Sequence, residues 1–148
     1  MSEIKQILLT SSLTIVGGVI ILAAGQLISE FLIKPYIRYK KIIGEIDEEL
    51  IFYSNVYTNP GSVKIAPTML APIYKTASYR MRRLASKFGA VYRSLGLKKL
   101  LIKWNMVISD ADKDKIEGNL IFLSNSLRDD FVKENLEKSS EIREILKI

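Results

Sequence analysis

Residues 6–29 read QILLTSSLTIVGGVIILAAGQLIS, a run of twenty-four positions without one charged side chain. Wound as a helix at 1.5 Å per residue they reach about 36 Å, enough to cross a hydrocarbon core of about 30 Å with some tilt. A helix so apolar all round has no face to offer water, which argues against a place on the surface of a soluble core. Behind the run stand Lys34, Arg38, Lys40 and Lys41, with no acid among them, whereas the leading flank offers Lys5 against Glu3. An excess of Lys and Arg marks the cytoplasmic end of a span. The run therefore reads as a single-pass anchor of the cell inner membrane, its N-terminus outside and its C-terminal portion in the cytoplasm. Lys34, Arg38, Lys40 and Lys41 are the expected membrane-surface residues.

The competing reading is a cleaved secretory signal, with Ala23-Ala24-Gly25 as the small-residue cleavage site. Against it, the apolar run exceeds the roughly 7–15 residues of a signal core, and the stretch ahead of it carries no net side-chain charge. The expected organisation is an anchor over residues 1–33 and one helical-bundle domain over 34–148, all-α throughout.

Composition narrows the function. There is no cysteine, so disulfides, thiolate metal sites and cysteine nucleophiles are excluded together. There is no histidine either, which removes the usual general base near neutral pH and the commonest metal ligand. Catalysis is not expected, and neither a cofactor nor a metal is implied. The formal charge of +6 is unevenly placed. Between Glu49 and Asp110 there are ten basic residues and no acid, while from Asp110 onward ten acids meet seven bases.

Helical spacing organises the remainder. Tyr39, Ile42, Ile43, Ile46, Leu50, Tyr53 and Tyr57 recur at mostly three- and four-residue intervals, which predicts an amphipathic helix over 36–57. Pro35 predicts a kink or brief break ahead of it, and Asn59-Pro60-Gly61 a turn behind it. A second helix is expected from Pro67 to Phe88 on the stripe Met69, Ile73, Ala77, Met81, Leu84, Ala85 and Phe88. Ser109 or Asp110 should cap a third, with Ile116, Leu120, Leu123, Leu127 and Phe131 inside. Ser139 or Ser140 should cap a short fourth carrying Ile142, Ile145 and Leu146. The only strand signal is Val63–Ile65.

Four constellations could carry function. Thr10, Thr14, Gly18 and Gly25 fall on one side of the anchor, where small residues let transmembrane backbones approach, so a homo-oligomer is expected. Arg80, Arg83 and Lys87 share a face of the second helix, with Arg82 around from them. They are anion-binding candidates for nucleic acid, a charged nucleotide or anionic lipid; the plainer reading is a solvated face neutralised by acids of the C-terminal region. Glu45, Glu48 and Glu49 share a face that could hold a divalent cation, but a solvated face is preferred. Leu97, Leu100, Leu101 and Trp104, beside Lys98, Lys99 and Lys103, have the make-up of an interfacial helix, although a core connector is preferred. Asn55 and Asn125, each flanked by apolar neighbours, are the amides expected to be buried as structural ties.

Lys34-Pro35-Tyr36, Ile43-Gly44, Tyr53-Ser54-Asn55-Val56-Tyr57 and Leu123-Ser124-Asn125-Ser126-Leu127 together resemble a group of small bacterial proteins with one N-terminal span and a helical cytosolic domain. The resemblance implies that architecture and no catalytic residues. The layout is also similar to small membrane effectors of bacterial antiphage systems, CRISPR-associated accessory membrane proteins among them, a likeness of architecture alone. Two functions follow as expectations. One is a non-enzymatic, oligomerising membrane protein whose bundle binds an unknown cytosolic protein. The other is a pore-forming effector whose basic face senses nucleic acid or an anionic nucleotide.

Overall fold

The computed structural model describes residues 3–60, 67–127 and 131–148. It is helical, with no strand among the described residues, and Val63–Ile65 and Gly61 lie outside them. Helix α1 (Glu3–Ile28) passes through a π-helical turn at Ser29–Ile33 into α2 (Lys34–Phe52), forming one helix of 50 residues. Every large apolar side chain of α1 is exposed. This helix is long and apolar enough to cross a membrane.

Pro35 does not break the helix as its sequence suggests. It sits at the second position of α2, and the turn ahead of it widens so that the Lys34 N–H reaches back five residues to the Ser29 carbonyl. The wider turn accommodates a ring that would otherwise press on the preceding turn.

The stripe of α2 is buried as its spacing requires, from Tyr39 through Ile42, Ile43, Ile46 and Leu50. The helix ends earlier than expected. Tyr53 leaves helical geometry (φ −95°, ψ 16°), and a short α3 (Ser54–Thr58) follows in a new direction. The Tyr57 hydroxyl donates to the Leu50 carbonyl at 2.8 Å, clamping the bend. Helix α4 (Pro67–Arg93) runs past Phe88 and through Gly89. A Cβ at Gly89 would fall 1.8 Å from the Glu117 carboxylate, so the glycine lets that side chain lie against the helix. The inner stripe of α4 also differs in its first turns. Leu70 and Tyr74 turn inward, while Met69 and Ile73 stay exposed.

A short α5 (Lys98–Lys103) leads to α6 (Asp110–Ser126), capped as expected by Ser109, whose hydroxyl accepts from the Asp112 N–H at 3.1 Å. Phe131 lies beyond α6 and is 41 % exposed, so it is no part of that helix's inner stripe. Helix α7 (Val132–Leu146) is longer than expected: Ser139 and Ser140 lie inside it. The Ser139 hydroxyl donates to the Leu136 carbonyl at 3.0 Å and so caps nothing.

Cross-links set the helix order. Ser78 on α4 donates to the Ser124 carbonyl on α6 at 2.7 Å while Gly89 meets Glu117, and Asn119 on α6 donates to Glu141 on α7 at 2.9 Å while Ser126 bonds Asn135, so each pair runs antiparallel. The centre is an aromatic triangle of Tyr39, Phe88 and Tyr92, each ring centroid 6.3 Å from the other two. Both tyrosine hydroxyls also hold Ile108 ahead of α6: Tyr92 donates to its carbonyl at 2.9 Å, and Tyr39 accepts from its N–H at 3.3 Å.

Asn55 and Asn125 are exposed; the buried amides are Asn119 and Asn135. Asn135 is fully buried. Its Nδ2 donates to the Tyr57 carbonyl at 3.0 Å, and its Oδ1 accepts from Ser126, so one side chain joins α7, α3 and α6.

Candidate functional site

On α1, Thr10, Thr14, Gly18 and Gly25 share one side at 100° per residue. The Thr10 hydroxyl donates to the Gln6 carbonyl and the Thr14 hydroxyl to the Thr10 carbonyl, both at 2.9 Å. Their polar groups are thus satisfied within the helix. A Cβ placed at Gly18 or Gly25 would meet nothing within 4 Å. The four residues form a shallow, self-satisfied groove open to whatever surrounds the helix.

The basic residues behind α1 divide. Lys34, Arg38 and Lys41 fall on one side of α2, whereas Lys40 is turned away toward a cleft it lines with Tyr39, Ile145 and Lys147. Lys34 is paired with Glu30 one turn earlier, which moderates its charge at that end.

The basic face of α4 meets α2. Arg80 lies 3.5 Å from the Glu49 carboxylate, and Lys87 pairs with Glu45. Together with Glu48, Arg83 and Leu84 they line a cavity of about 340 Å³. Among the described residues the neutralising acids therefore come from α2, not from the C-terminal region. Glu141 is engaged with Asn119 and Lys138, and Asp129 and Asp130 lie outside the described residues. The same contacts occupy two of the three α2 carboxylates, Glu45 and Glu49, and no cluster able to hold a metal occurs among the described residues. Arg82 faces the other way, donating to Asn125 Oδ1 at 2.7 Å. Arg82, Arg83 and Lys87 nevertheless border one shallow, open depression with Tyr79, Ser86 and Ala90. The cavity between α2 and α4, which alternates carboxylates with bases, has little net field to draw a phosphate.

No family model, curated protein or solved structure matches the chain.

One apolar surface escaped the sequence reading, and a second falls on the segment weighed there as an interfacial helix but preferred as a core connector. At the end of the long helix, Ile51, Phe52, Met69 and Ile73 are exposed, the last two because the α4 stripe begins at Leu70 instead. At the other end of the bundle, α5 buries Leu101 but leaves Leu97, Leu100 and Trp104 exposed. Lys98 is held away from them, bonded to Asp110 at 2.7 Å and lying over the Tyr92 ring. That bond keeps the Asp110 carboxyl below its ordinary range. Burial, reinforced by Asp110, pushes the Tyr92 phenol well above its own. Lys98, Tyr92 and Asp110 thus lock the start of α6 to α4 and α5.

Proposed function

We propose that the chain is a membrane-anchored, self-associating protein whose bundle serves as a platform for a protein partner, without catalysis of its own. The observation that carries this reading is α1, twenty-six residues whose large apolar side chains are all exposed and which continues as one helix into the bundle. Such a surface requires an apolar phase around it. The Lys and Arg excess behind α1 favours an inner-membrane orientation with the bundle in the cytoplasm. The side carrying Thr10, Thr14, Gly18 and Gly25 suits close approach of a second copy. The docking point for a partner is the open apolar depression lined by Phe52 and Ile73, with Ile51 and Met69 next to them in sequence and helical spacing, at the end of the rod farthest from the anchor.

The test is the mass of the full chain purified in mild detergent. The wild type should exceed one 16.8 kDa protomer plus detergent, and Gly18→Leu should fall to the monomer with unchanged helicity. Open space around Gly18 means that leucine costs a single copy nothing, so a shift reports contact between copies. A monomeric wild type refutes self-association. A cytoplasm-dependent reporter fused after Ile148 should be active, and its silence refutes the orientation. Membrane depolarisation on expression would favour the pore-forming reading instead.

A further inference from the structure

The connector between α4 and α5 lies against the helix where the apolar span gives way to α2. A Cβ added at Gly96 would fall 2.4 Å from the Phe31 carbonyl oxygen and 3.7 Å from Leu32 Cδ2, so only glycine permits the approach. That carbonyl is the one to which Pro35, lacking an N–H, cannot donate. Contact with Phe31 fixes α5 at the level where the span ends.

Phe31, Ile33 and Ile37 are exposed on the long helix, and Leu97, Leu100 and Trp104 are exposed on the segment that follows Gly96 directly. Leu97 adds a second sign. It holds the left-handed conformation (φ 48°, ψ 33°) that glycine and asparagine adopt readily, and Asn105 in the same segment occupies one such position. Leucine there is strained, and its side chain is 59 % exposed, so no burial within the bundle offsets the strain. Lys99 and Lys103 are exposed next to these residues and have no ion pair among the described residues, while Lys98 is taken up by Asp110. Exposed leucines, a tryptophan and lysines at the end of a span have the chemistry of a bilayer interface.

We propose that α5 seats the bundle on the bilayer surface where α1 emerges, with Leu97, Leu100 and Trp104 among the lipid and Lys99 and Lys103 against anionic headgroups. This rests on the reading of α1 as a span. It turns α5 from a connector into a second membrane contact, one that fixes the tilt of the bundle.

Trp104 is the sole tryptophan and the chain has no cysteine, so two probes can be read in one protein. The full chain, carrying Val16→Cys labelled with an environment-sensitive dye, is reconstituted into liposomes with and without anionic lipid. Trp104 should be quenched by brominated acyl chains and shielded from acrylamide, more so with anionic lipid. Leu97→Gly with Leu100→Ser should lower the lipid quenching severalfold. Leu97→Gly alone should lower it without lowering the thermal midpoint, whereas a purely structural leucine would lower the midpoint. Trp104 open to acrylamide and blind to brominated lipid, while the Val16 dye is quenched, overturns the seating alone. Trp104 shielded from both quenchers overturns it in favour of a protein contact. If the dye too escapes lipid quenching, the span fails, and the seating with it.

Discussion

Asn135 is where the bundle should be most sensitive to one polar substitution. Its amide is fully buried, donates to the Tyr57 carbonyl at 3.0 Å and accepts from Ser126. Leucine has nearly the same shape but no polar atom, so Asn135→Leu isolates the hydrogen bonds. Ser126 has an alternative acceptor, the Leu123 carbonyl at 3.3 Å. The Tyr57 carbonyl loses its amide donor. One buried group left unsatisfied costs about 1–3 kcal/mol and each lost bond about 0.5–1.5 kcal/mol, for a total of about 2–4 kcal/mol. In a domain of this size that lowers the midpoint by on the order of 10–20 °C. The assay is thermal unfolding of the full chain in mild detergent, followed by circular dichroism. Asn55→Leu and Asn125→Leu are the controls; both residues are exposed, so each should change stability by less than about 0.5 kcal/mol. If either control destabilises more than Asn135→Leu, the assignment of the buried tie is wrong.

Gly96→Ala should cost about 1–3 kcal/mol, because the added methyl meets backbone at Phe31 and no side chain can move aside. The same melt checks it, and a neutral result would mean that the connector does not touch the long helix. Stability should also fall at both pH extremes. The carboxyl of Asp110 is held low first by its bond from Lys98, and that of Glu141 by its bonds from Asn119 and Lys138. Below their ordinary values of 3.8 and 4.5 the unfolded chain binds protons first, so this contribution is lost as pH drops through the lower folded values. Tyr39 and Tyr92 hold their protons above the ordinary 10.0 because they are buried. The unfolded chain ionises first there, and stability is lost as pH climbs from 10.0 through the folded values. Urea midpoints measured across pH would show both limbs, and Asp110→Asn should shallow the acid one.

The uncharged run and the α2 stripe were legible because each is a periodicity carried by side chains of one kind, and burial followed it from Tyr39 to Leu50. The start of α4 was ambiguous for the same reason. Met69–Ile73 and Leu70–Tyr74 both satisfy four-residue spacing, and the amphipathic tyrosine resolved the choice only when its hydroxyl reached the Asn59 carbonyl. Apolar neighbours misled the reading of Asn55 and Asn125, since residues adjacent in a helix point about 100° apart. Ser139 misled for another reason: capping preference is local and does not reveal that a helix has already begun at Val132. At the candidate surfaces, the bases of α4 were visible but their partners were not, because Glu45 and Glu49 become neighbours only once α2 and α4 pair. The approach of Gly96 to Phe31 was equally hidden, because it joins positions sixty-five residues apart.

The uninterrupted passage from Glu3 to Phe52 makes rotation of α1 and heading of the bundle a single angular variable. From Lys34 to Phe52 the rod extends about 27 Å, and each residue of phase turns what it carries by about 100°. Anchors that twist against one another would swing Ile51 and Phe52 through the same angle, like the hand on a spindle. Inserting one residue near Ile28 would point that patch to another compass bearing without altering a single contact inside the bundle.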